Sequence, residues 1–236
     1  LSYKRPEGDI PEGLSSYFDE QELQRWCFTG YQLFQEGRLD EAGECFVQAI
    51  KINPDSPEPR NGIGACYLKN GQYEDAVKAY RSAIEKDSEN VDAWCSLGAC
   101  YFHTGQYDES IDCQDKAISI DPQYTDAWHG KSVCFYNLGR YADALVCMDR
   151  ALSIEPEYPD LLFGRADCLL ELGRLDEALV GYNTGLALFD GDPDAWAGKG
   201  RCLADLGKRD AAIDCFQKAL SIDPDNQKAR NILDGI

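Results

Sequence analysis

Basic residues are scarce in this chain, and long apolar runs are missing. The 236 residues include 23 lysines and arginines against 42 aspartates and glutamates, a formal net charge of −19. A surface that binds nucleic acid needs lysine and arginine to neutralise phosphates, so this balance excludes nucleic acid as the partner. No run of about 18 apolar residues occurs, so we expect no membrane span. The first residues contain no apolar signal core, so nothing predicts secretion.

Residues that catalyse reactions or bind metals are also few. Two histidines occur, His103 and His129, and no C-x-x-C or H-x-x-x-H motif accompanies them. A zinc site needs several ligands in fixed geometry, and a cysteine nucleophile such as Cys95 needs an oriented base. Phosphate loops, dinucleotide fingerprints and serine elbows are missing as well. The sequence therefore predicts no catalytic residue, no metal site and no cofactor, and hence a protein that is not an enzyme.

What the chain does contain is a repeat of 34 residues. Moving residues 91–124 forward by one period places Trp94 on Trp128 and Gly105 on Gly139. Self-similarity at such a period indicates an array of stacked helical or strand units. Six repeats fit without an insertion, and they span residues 23–56, 57–90, 91–124, 125–158, 159–192 and 193–226.

Each repeat is predicted to form two helices. In residues 91–124, apolar residues such as Trp94 and Leu97 recur at three- and four-residue steps, which places them on one helix face. Gly105 then ends the first helix, because glycine readily takes the left-handed backbone conformation. A second apolar stripe follows and ends at Pro122. Neither helix can bury its stripe alone, whereas stacked copies can.

The residues that recur carry a family pattern. The string W-x-x-L-G-x-x-Y at residues 94–101, with Ala117 and Pro122 further on, resembles the tetratricopeptide repeat (TPR). The resemblance implies an all-α, right-handed superhelical solenoid of helix-turn-helix units that binds other proteins. The closeness of the repeats to one another is similar to that of prokaryotic TPR arrays of unassigned role. The glycine between the two helices is present six times, at Gly37, Gly71, Gly105, Gly139, Gly173 and Gly207.

Two short segments lie outside the repeats. Residues 1–22 are predicted as an N-terminal extension, a loop followed by a helix start capped by Ser15 or Ser16. Residues 227–236 are predicted as a short C-terminal capping helix. Short capping leaves apolar surface at the end of the array. An alternative function is therefore self-assembly into a homo-oligomer, in which the N-terminal segment or an end face docks on a neighbouring copy.

The cysteines follow the repeat. The resemblance implies that the tenth position is a small packing position, where cysteine acts as a small hydrophobe. Residues one repeat apart should be too far from each other for a disulfide. Many free thiols indicate a reducing compartment, so we expect a cytoplasmic protein. Five of the eleven cysteines occupy this tenth position, namely Cys66, Cys100, Cys134, Cys168 and Cys202.

The resemblance also implies where a partner binds. In TPR proteins the second, fifth, ninth, twelfth and thirteenth positions of each repeat line a concave groove. In this chain these positions combine aromatic anchors with a column of aspartates, which suits a basic or amphipathic peptide segment. Asp167 also stands at one of these groove positions. The predicted contact residues are Tyr31, Phe34, Asn61, Asp92, Phe102, His103, Asp126, His129, Tyr136, Asn137, Asp160, Phe163, Asp194 and Arg201.

Some of these residues have a second interpretation. The aspartates at the second position also fall in the first turn of a helix, where a carboxylate stabilises by about 0.3–1 kcal/mol. Phe102 and Tyr136 can pack between helices instead of contacting a partner.

Basic residues depart from the family pattern at the seventh position. Lys131, Arg165 and Lys199 stand there instead of leucine, each after a glycine. A buried charge is costly, so we expect the stems to lie along the seam between helices with the charge outward. The acids Asp121 and Glu155, which end preceding repeats, are candidate partners, and a basic binding strip is the alternative.

Overall fold

A computed structural model describes residues 12–233 of the chain. Within this range the backbone forms thirteen α-helices and no β-strand, which confirms the expected all-α fold. No helix in this range is long and apolar enough to cross a membrane. The helices are α1 (Glu12–Gln35), α2 (Leu39–Ile52), α3 (Glu58–Lys69), α4 (Tyr73–Lys86), α5 (Val91–His103), α6 (Tyr107–Ile120), α7 (Thr125–Asn137), α8 (Tyr141–Ile154), α9 (Pro159–Glu171), α10 (Leu175–Leu188), α11 (Pro193–Asp205), α12 (Arg209–Ile222) and α13 (Gln227–Leu233).

The helices form two compact units, an N-terminal unit that ends at Pro122 and a C-terminal unit that begins at Gln123. Helices α1–α6 belong to the first and α7–α13 to the second. Within a unit, helices of successive repeats also touch, as α1 touches α3 and as α11 touches both α9 and α13. The odd-numbered helices of each unit therefore form a common layer.

The turn inside each repeat is closed by the glycine that the period predicts. All six glycines have a positive φ, between 72° and 80°. In the first repeat, the N–H of Gly37 donates to the carbonyl of Phe34 at 3.1 Å, and that of Arg38 donates to the carbonyl of Leu33 at 2.9 Å. This pattern satisfies the last carbonyls of the helix, and glycine adopts the required backbone conformation without strain.

One large side chain of each second helix fills the space between helices. It stands at the twenty-fourth position of the repeat, which we call the plug position, and it is at most 3% exposed. Glycines make room for it, since a Cβ on Gly64 would lie 2.8 Å from Cε1 of Tyr80, and a Cβ on Gly198 would lie 2.5 Å from Oη of Tyr182. The plug residues are Phe46, Tyr80, Gln114, Met148, Tyr182 and Phe216.

The same packing explains the glycines that precede two of the unusual basic residues. Gly164 faces Met148 and Gly198 faces Tyr182. Of the basic residues themselves, Arg165 donates from Nε to Oδ1 of Asp149 at 2.6 Å. The partner of Arg165 is therefore an acid within α8 and not Glu155, the candidate in the loop after that helix.

The other two basic residues lie against rings of their own helices. Nζ of Lys131 is 5.6 Å from the ring centroid of Phe135, and Nζ of Lys199 is 4.9 Å from that of Trp196. A cation over an aromatic face is attracted by the ring quadrupole, at about 0.5–1 kcal/mol when exposed.

The first helix of the array begins earlier than the sequence predicts. Helix α1 already begins at Glu12, so Ser15 and Ser16 lie inside it and do not cap it. The same helix continues into the first repeat. At the other end, α13 packs on α11 and α12 through the buried Ala229. Residues 1–11 of the predicted N-terminal extension and the last three residues of the predicted capping helix lie outside the described residues.

Candidate functional site

An open groove lies along the layer of odd-numbered helices in the C-terminal unit. A cavity of about 320 Å³ lies among α7, α9 and α11, with Lys228 of α13 in its lining. A second cavity, of about 270 Å³, shares Tyr136, Asp167, Asp194 and Lys228 with the first. We call the two cavities together the C-terminal groove. Its position on the first helices of the repeats is the one that the groove positions of the sequence imply.

Helix geometry places the carboxylates of the groove. Seven residues make about two turns, so Asp160 and Asp167 lie on the same face of α9. Pro159 stands in the first turn, where a fixed φ favours helix initiation. In α11 the side chain of Asp192 accepts a hydrogen bond from the N–H of Ala195 at 2.9 Å. These caps fix the helix starts from which Asp160 and Asp194 project.

Asp167 accepts a hydrogen bond from a tyrosine of α10, the second helix of the same repeat. The hydroxyl of Tyr182 donates a hydrogen bond to Oδ1 of Asp167. Tyr182 is fully buried, and burial together with the neighbouring Asp167 raises the pKa of its hydroxyl far above the ordinary value. Burial also raises the pKa of the Asp167 carboxyl, and the hydrogen bond from Tyr182 acts in the opposite direction. A buried core residue thus orients a carboxylate of the groove.

Asp194 is held by the last helix. Nζ of Lys228 lies 2.9 Å from Oδ2 of Asp194, and Nδ2 of Asn226 lies 2.7 Å from Oδ1. Asn226 also caps α13, because its Oδ1 accepts from the N–H of Ala229 at 2.9 Å. Burial acts to raise the pKa of Asp194, but the hydrogen bonds from Lys228 and Asn226 outweigh it and lower the pKa.

The rings of Tyr136 and His129 and the ion pair between Arg201 and Glu171 complete the walls of the groove. The ring of Tyr136 packs edge-on against Tyr141, with centroids 5.1 Å apart. Burial lowers the pKa of His129, although nearby aspartates act in the opposite direction. Arg201 donates to Oε1 of Glu171 at 2.6 Å, which neutralises its charge locally.

Six of the predicted contact residues meet in this groove. Phe163, predicted as an aromatic anchor for a partner, lines the first cavity but is only 6% exposed. Its ring occupies the space where Gly185 has no side chain, which leaves little of the ring exposed. The six residues are His129, Tyr136, Asp160, Phe163, Asp194 and Arg201.

Two further predicted residues of the C-terminal unit lie elsewhere. Asp126 is exposed in the first turn of α7. Asn137 is exposed at the end of the same helix, where its Nδ2 donates to the carbonyl of Val133 at 2.8 Å. Neither residue lines the groove.

The predicted aromatic residues of the N-terminal unit make contacts with other side chains of the chain. The ring of Tyr31, which is 36% exposed, packs edge-on against Phe46 at 5.0 Å. Nζ of Lys69 lies 4.6 Å above the ring of Phe34. The ring of Phe102 lies 5.6 Å from Tyr107 of the next helix. Packing between helices, the second interpretation of Phe102, thus accounts for part of its ring surface.

The polar residues of this unit are placed differently from one another. His103 is exposed, with its ring stacked on Tyr73 at 4.9 Å and 9°. Asn61 has a buried Oδ1 that accepts no hydrogen bond from the described residues. Asp92 lies in the first turn of α5, which Asn90 caps. Among residues 12–233, no group of three or more histidine, cysteine or acidic side chains is placed to hold a metal ion.

Two residues that shape the groove, one in its lining and one behind it, are not among the predicted contact residues. Lys228 stands one period after Asp194, so extending the groove positions beyond the sixth repeat would have found it. Tyr182 belongs to a second helix, whose residues the groove positions do not include. The only signal for Tyr182 in the sequence is the glycine at residue 198, which leaves room for its ring.

Comparisons with known proteins agree with this architecture. Family models described as tetratricopeptide repeat match residues 62–125, 138–202 and 193–226, and one described as TPR repeat matches residues 30–71. No curated protein sequence matches the chain.

Several solved structures are similar. Pseudomonas aeruginosa pilF superposes with a TM-score of 0.83 at 15% identity, over 92% of this chain and 99% of that one. PilW, a type IV pilus biogenesis factor, gives 0.81 at 17% identity, over 90% and 99%. YrrB, a TPR protein with an unusual peptide-binding site, gives 0.66 at 26% identity, over 81% and 99%. The first two similarities concern the fold alone.

Proposed function

This chain belongs to the tetratricopeptide repeat family, and we propose that it is a non-catalytic scaffold that binds a basic or amphipathic segment of another protein in its C-terminal groove. The observation that carries this proposal is the open cavity of about 320 Å³, in which apolar walls and carboxylates occur together. Val133, Tyr136 and Met148 supply apolar surface for a side chain. Asp160 and Asp194 supply charge beside them. Pockets of this mixed kind fix both the affinity and the orientation of a peptide.

The charge of the whole chain supports the same class of partner. A net charge of −19 attracts a basic segment over long distances and speeds its association. YrrB, a TPR protein with an unusual peptide-binding site, is 26% identical to this chain, which is consistent with a peptide as the ligand.

The thiols support a reducing compartment such as the cytoplasm as the place of action. All eleven cysteines are free, and ten of them are buried. Burial raises the pKa of Cys66 to about 11 and that of Cys100 to about 12, so both stay protonated at neutral pH.

The test is affinity capture from the source cell with a charge-reversal variant and a matched control. Asp160 and Asp210 are both exposed carboxylates in the first turn of a helix, so reversing either charge has the same effect on the helix dipole. We expect the wild type and Asp210→Arg to retain a partner that Asp160→Arg loses.

A partner that all three proteins retain equally would overturn the assignment to this groove. Light scattering on the same proteins tests the alternative that a second copy of this chain occupies the groove. If the captured protein is a second copy of this chain, the mass of the wild type should rise with concentration, and that of Asp160→Arg should not.

A further inference from the structure

The first cavity of the C-terminal groove has more negative charge than its own cation can balance. Four carboxylates line the first cavity, those of Asp160, Asp167, Asp192 and Asp194, and the only ammonium group in the lining is that of Lys228. Among the described residues, Lys228 forms an ion pair with Asp194 alone. In the described part of the chain, neither Asp160 nor Asp167 forms an ion pair. The cavity therefore offers sites for a further cation.

Asp167 is partly buried and has a single side-chain donor within residues 12–233. Its Oδ1 accepts the hydroxyl of Tyr182, and its Oδ2 has no donor among the described residues. A half-buried carboxylate with one neutral donor is poorly stabilised, and a charged donor at the free oxygen would strengthen the contact. Tyr182 is too tightly packed to turn away, since it is fully buried against Gly198. Asp167 lines the cavity, and its hydrogen bond with the packed Tyr182 fixes the carboxylate there.

The walls suit the stem of a long basic side chain. Val133, Tyr136 and Met148 line the same cavity as Asp167. Lysine and arginine bury their methylene stems along apolar surface and keep the charge at a polar tip. An aromatic ring such as that of Tyr136 also attracts the cation itself.

Lys228 is a cation that can be displaced. Its side chain is 62% exposed, and its partner Asp194 is 55% exposed, so water and salt weaken their ion pair. It is carried by α13, which has seven residues. A helix this short has little stability of its own and depends on its contacts with α11 and α12.

From these contacts we infer that the groove takes one lysine or arginine side chain of the bound segment, with its stem along Tyr136 and its charge on Asp167, and that Lys228 competes with it. This inference rests on the proposed peptide-binding function. It adds the chemical identity of the anchoring side chain and a role for the last helix, whose lysine keeps weakly basic segments out.

The test begins with a selection of displayed random dodecapeptides on the intact chain. In each selected peptide, lysine is then replaced by norleucine and arginine by citrulline, one position at a time. We expect a single position to dominate, with a loss of affinity of about tenfold on the wild type. When the binding protein is Asp167→Asn, the same peptide replacement should reduce the affinity by less than about threefold, because the carboxylate charge that pairs with the basic residue is gone.

Matched variants separate local from general electrostatics. Asp214 is exposed on α12, away from the groove, so Asp214→Asn should leave the effect of the peptide replacement unchanged. Lys228→Met should tighten binding of the basic peptides by about threefold or more, as expected when a competing charge is removed. Lys218→Met, which removes an exposed charge on α12, should not.

Each adverse outcome has a distinct meaning. If no peptide is selected, the proposed function fails and the inference fails with it. If peptides bind but tolerate the loss of every basic residue, or respond equally on wild type and Asp167→Asn, only the inference is overturned. If Lys228→Met weakens binding, Lys228 holds an acidic group of the peptide and is not a competitor. Unfolding curves of Asp167→Asn, in which the amide oxygen can still accept from Tyr182, check that the groove is intact.

Discussion

Repeats three and five fill the plug position with different chemistry. In repeat five the residue is Tyr182, which is fully buried and reaches Asp167 of the groove with its hydroxyl. In repeat three it is Gln114, which is 2% exposed. Its Nε2 donates to the carbonyl of Cys95 at 3.2 Å, whereas its buried Oε1 accepts no hydrogen bond from the described residues.

The difference shows that the repeats share a backbone structure but not the side chains that pack between their helices. Both side chains pack against a glycine, Gly198 for Tyr182 and Gly98 for Gln114. Only Tyr182 connects the core to a charged group of the groove. A substitution at one plug position should therefore affect binding, and a substitution at the other should affect stability alone.

Truncation of the two plugs should have the largest effect. Tyr182→Ala removes a whole buried ring, and we expect a loss of about 3–5 kcal/mol in the free energy of unfolding. Gln114→Ala should lose less, on the order of 1–2 kcal/mol, because an unpaired buried oxygen leaves with the side chain. Urea unfolding followed by circular dichroism measures both. Equal losses would show that the two plugs stabilise the fold to the same degree.

Removal of the hydroxyl alone tests the connection to the groove. Tyr182→Phe keeps the ring and leaves Asp167 without its donor, which should cost about 1–3 kcal/mol. The control is Tyr80→Phe at the same position of repeat two, where the hydroxyl lies near the neutral Ser96 and donates to no carboxylate of the described residues. There we expect about 0.5–1.5 kcal/mol. A larger loss for Tyr80→Phe would contradict the special role of the carboxylate.

An apolar plug in repeat three should stabilise the protein. Methionine has nearly the shape of glutamine and already occupies the plug position of the next repeat, as Met148. Gln114→Met removes the unpaired Oε1, and we expect a gain of about 0.5–1 kcal/mol in the free energy of unfolding. The reverse exchange, Met148→Gln, should destabilise. A loss on Gln114→Met would mean that the hydrogen bond to Cys95 outweighs the unpaired oxygen.

The smallest effect should be a dependence on pH that only the tyrosine plug shows. The pKa of Asp167 is raised in the folded chain above the ordinary 3.8. As pH falls through that raised pKa, the folded state binds a proton that the unfolded state does not yet bind, so folding becomes more favourable. The stability of the wild type relative to Asp167→Asn should therefore increase from neutral pH toward 3.8. The difference between wild type and Gln114→Ala should stay constant over that range, because an amide does not titrate.

The sequence predicted the backbone well because the period repeats the signals that determine it. The glycine of each inter-helix turn recurs in all six repeats, and each has the positive φ that its role requires. The start of α1 was placed too late, because Ser15 and Ser16 suggest a cap where the helix in fact continues.

The candidate site was predicted only in part, because family positions indicate where a residue stands and not what surrounds it. Tyr136 and Asp194 lie in the groove as their positions imply. Phe163 holds an equivalent position, yet it is buried because Gly185 happens to leave room for its ring. Tyr182 and Lys228 were missed because one contributes from the second helix and the other from beyond the last repeat.

The buried cysteines make the chain its own reporter of local opening. Every repeat carries at least one free cysteine, and all except Cys95 are buried. A thiol reagent can react with a buried cysteine only while the helices around it are transiently apart. Mass spectrometry of the labelled chain would then give, repeat by repeat, the rate at which the array opens. The repeat that carries Asp167 could be followed through Cys168, with and without a bound peptide, and no label would have to be engineered into the protein.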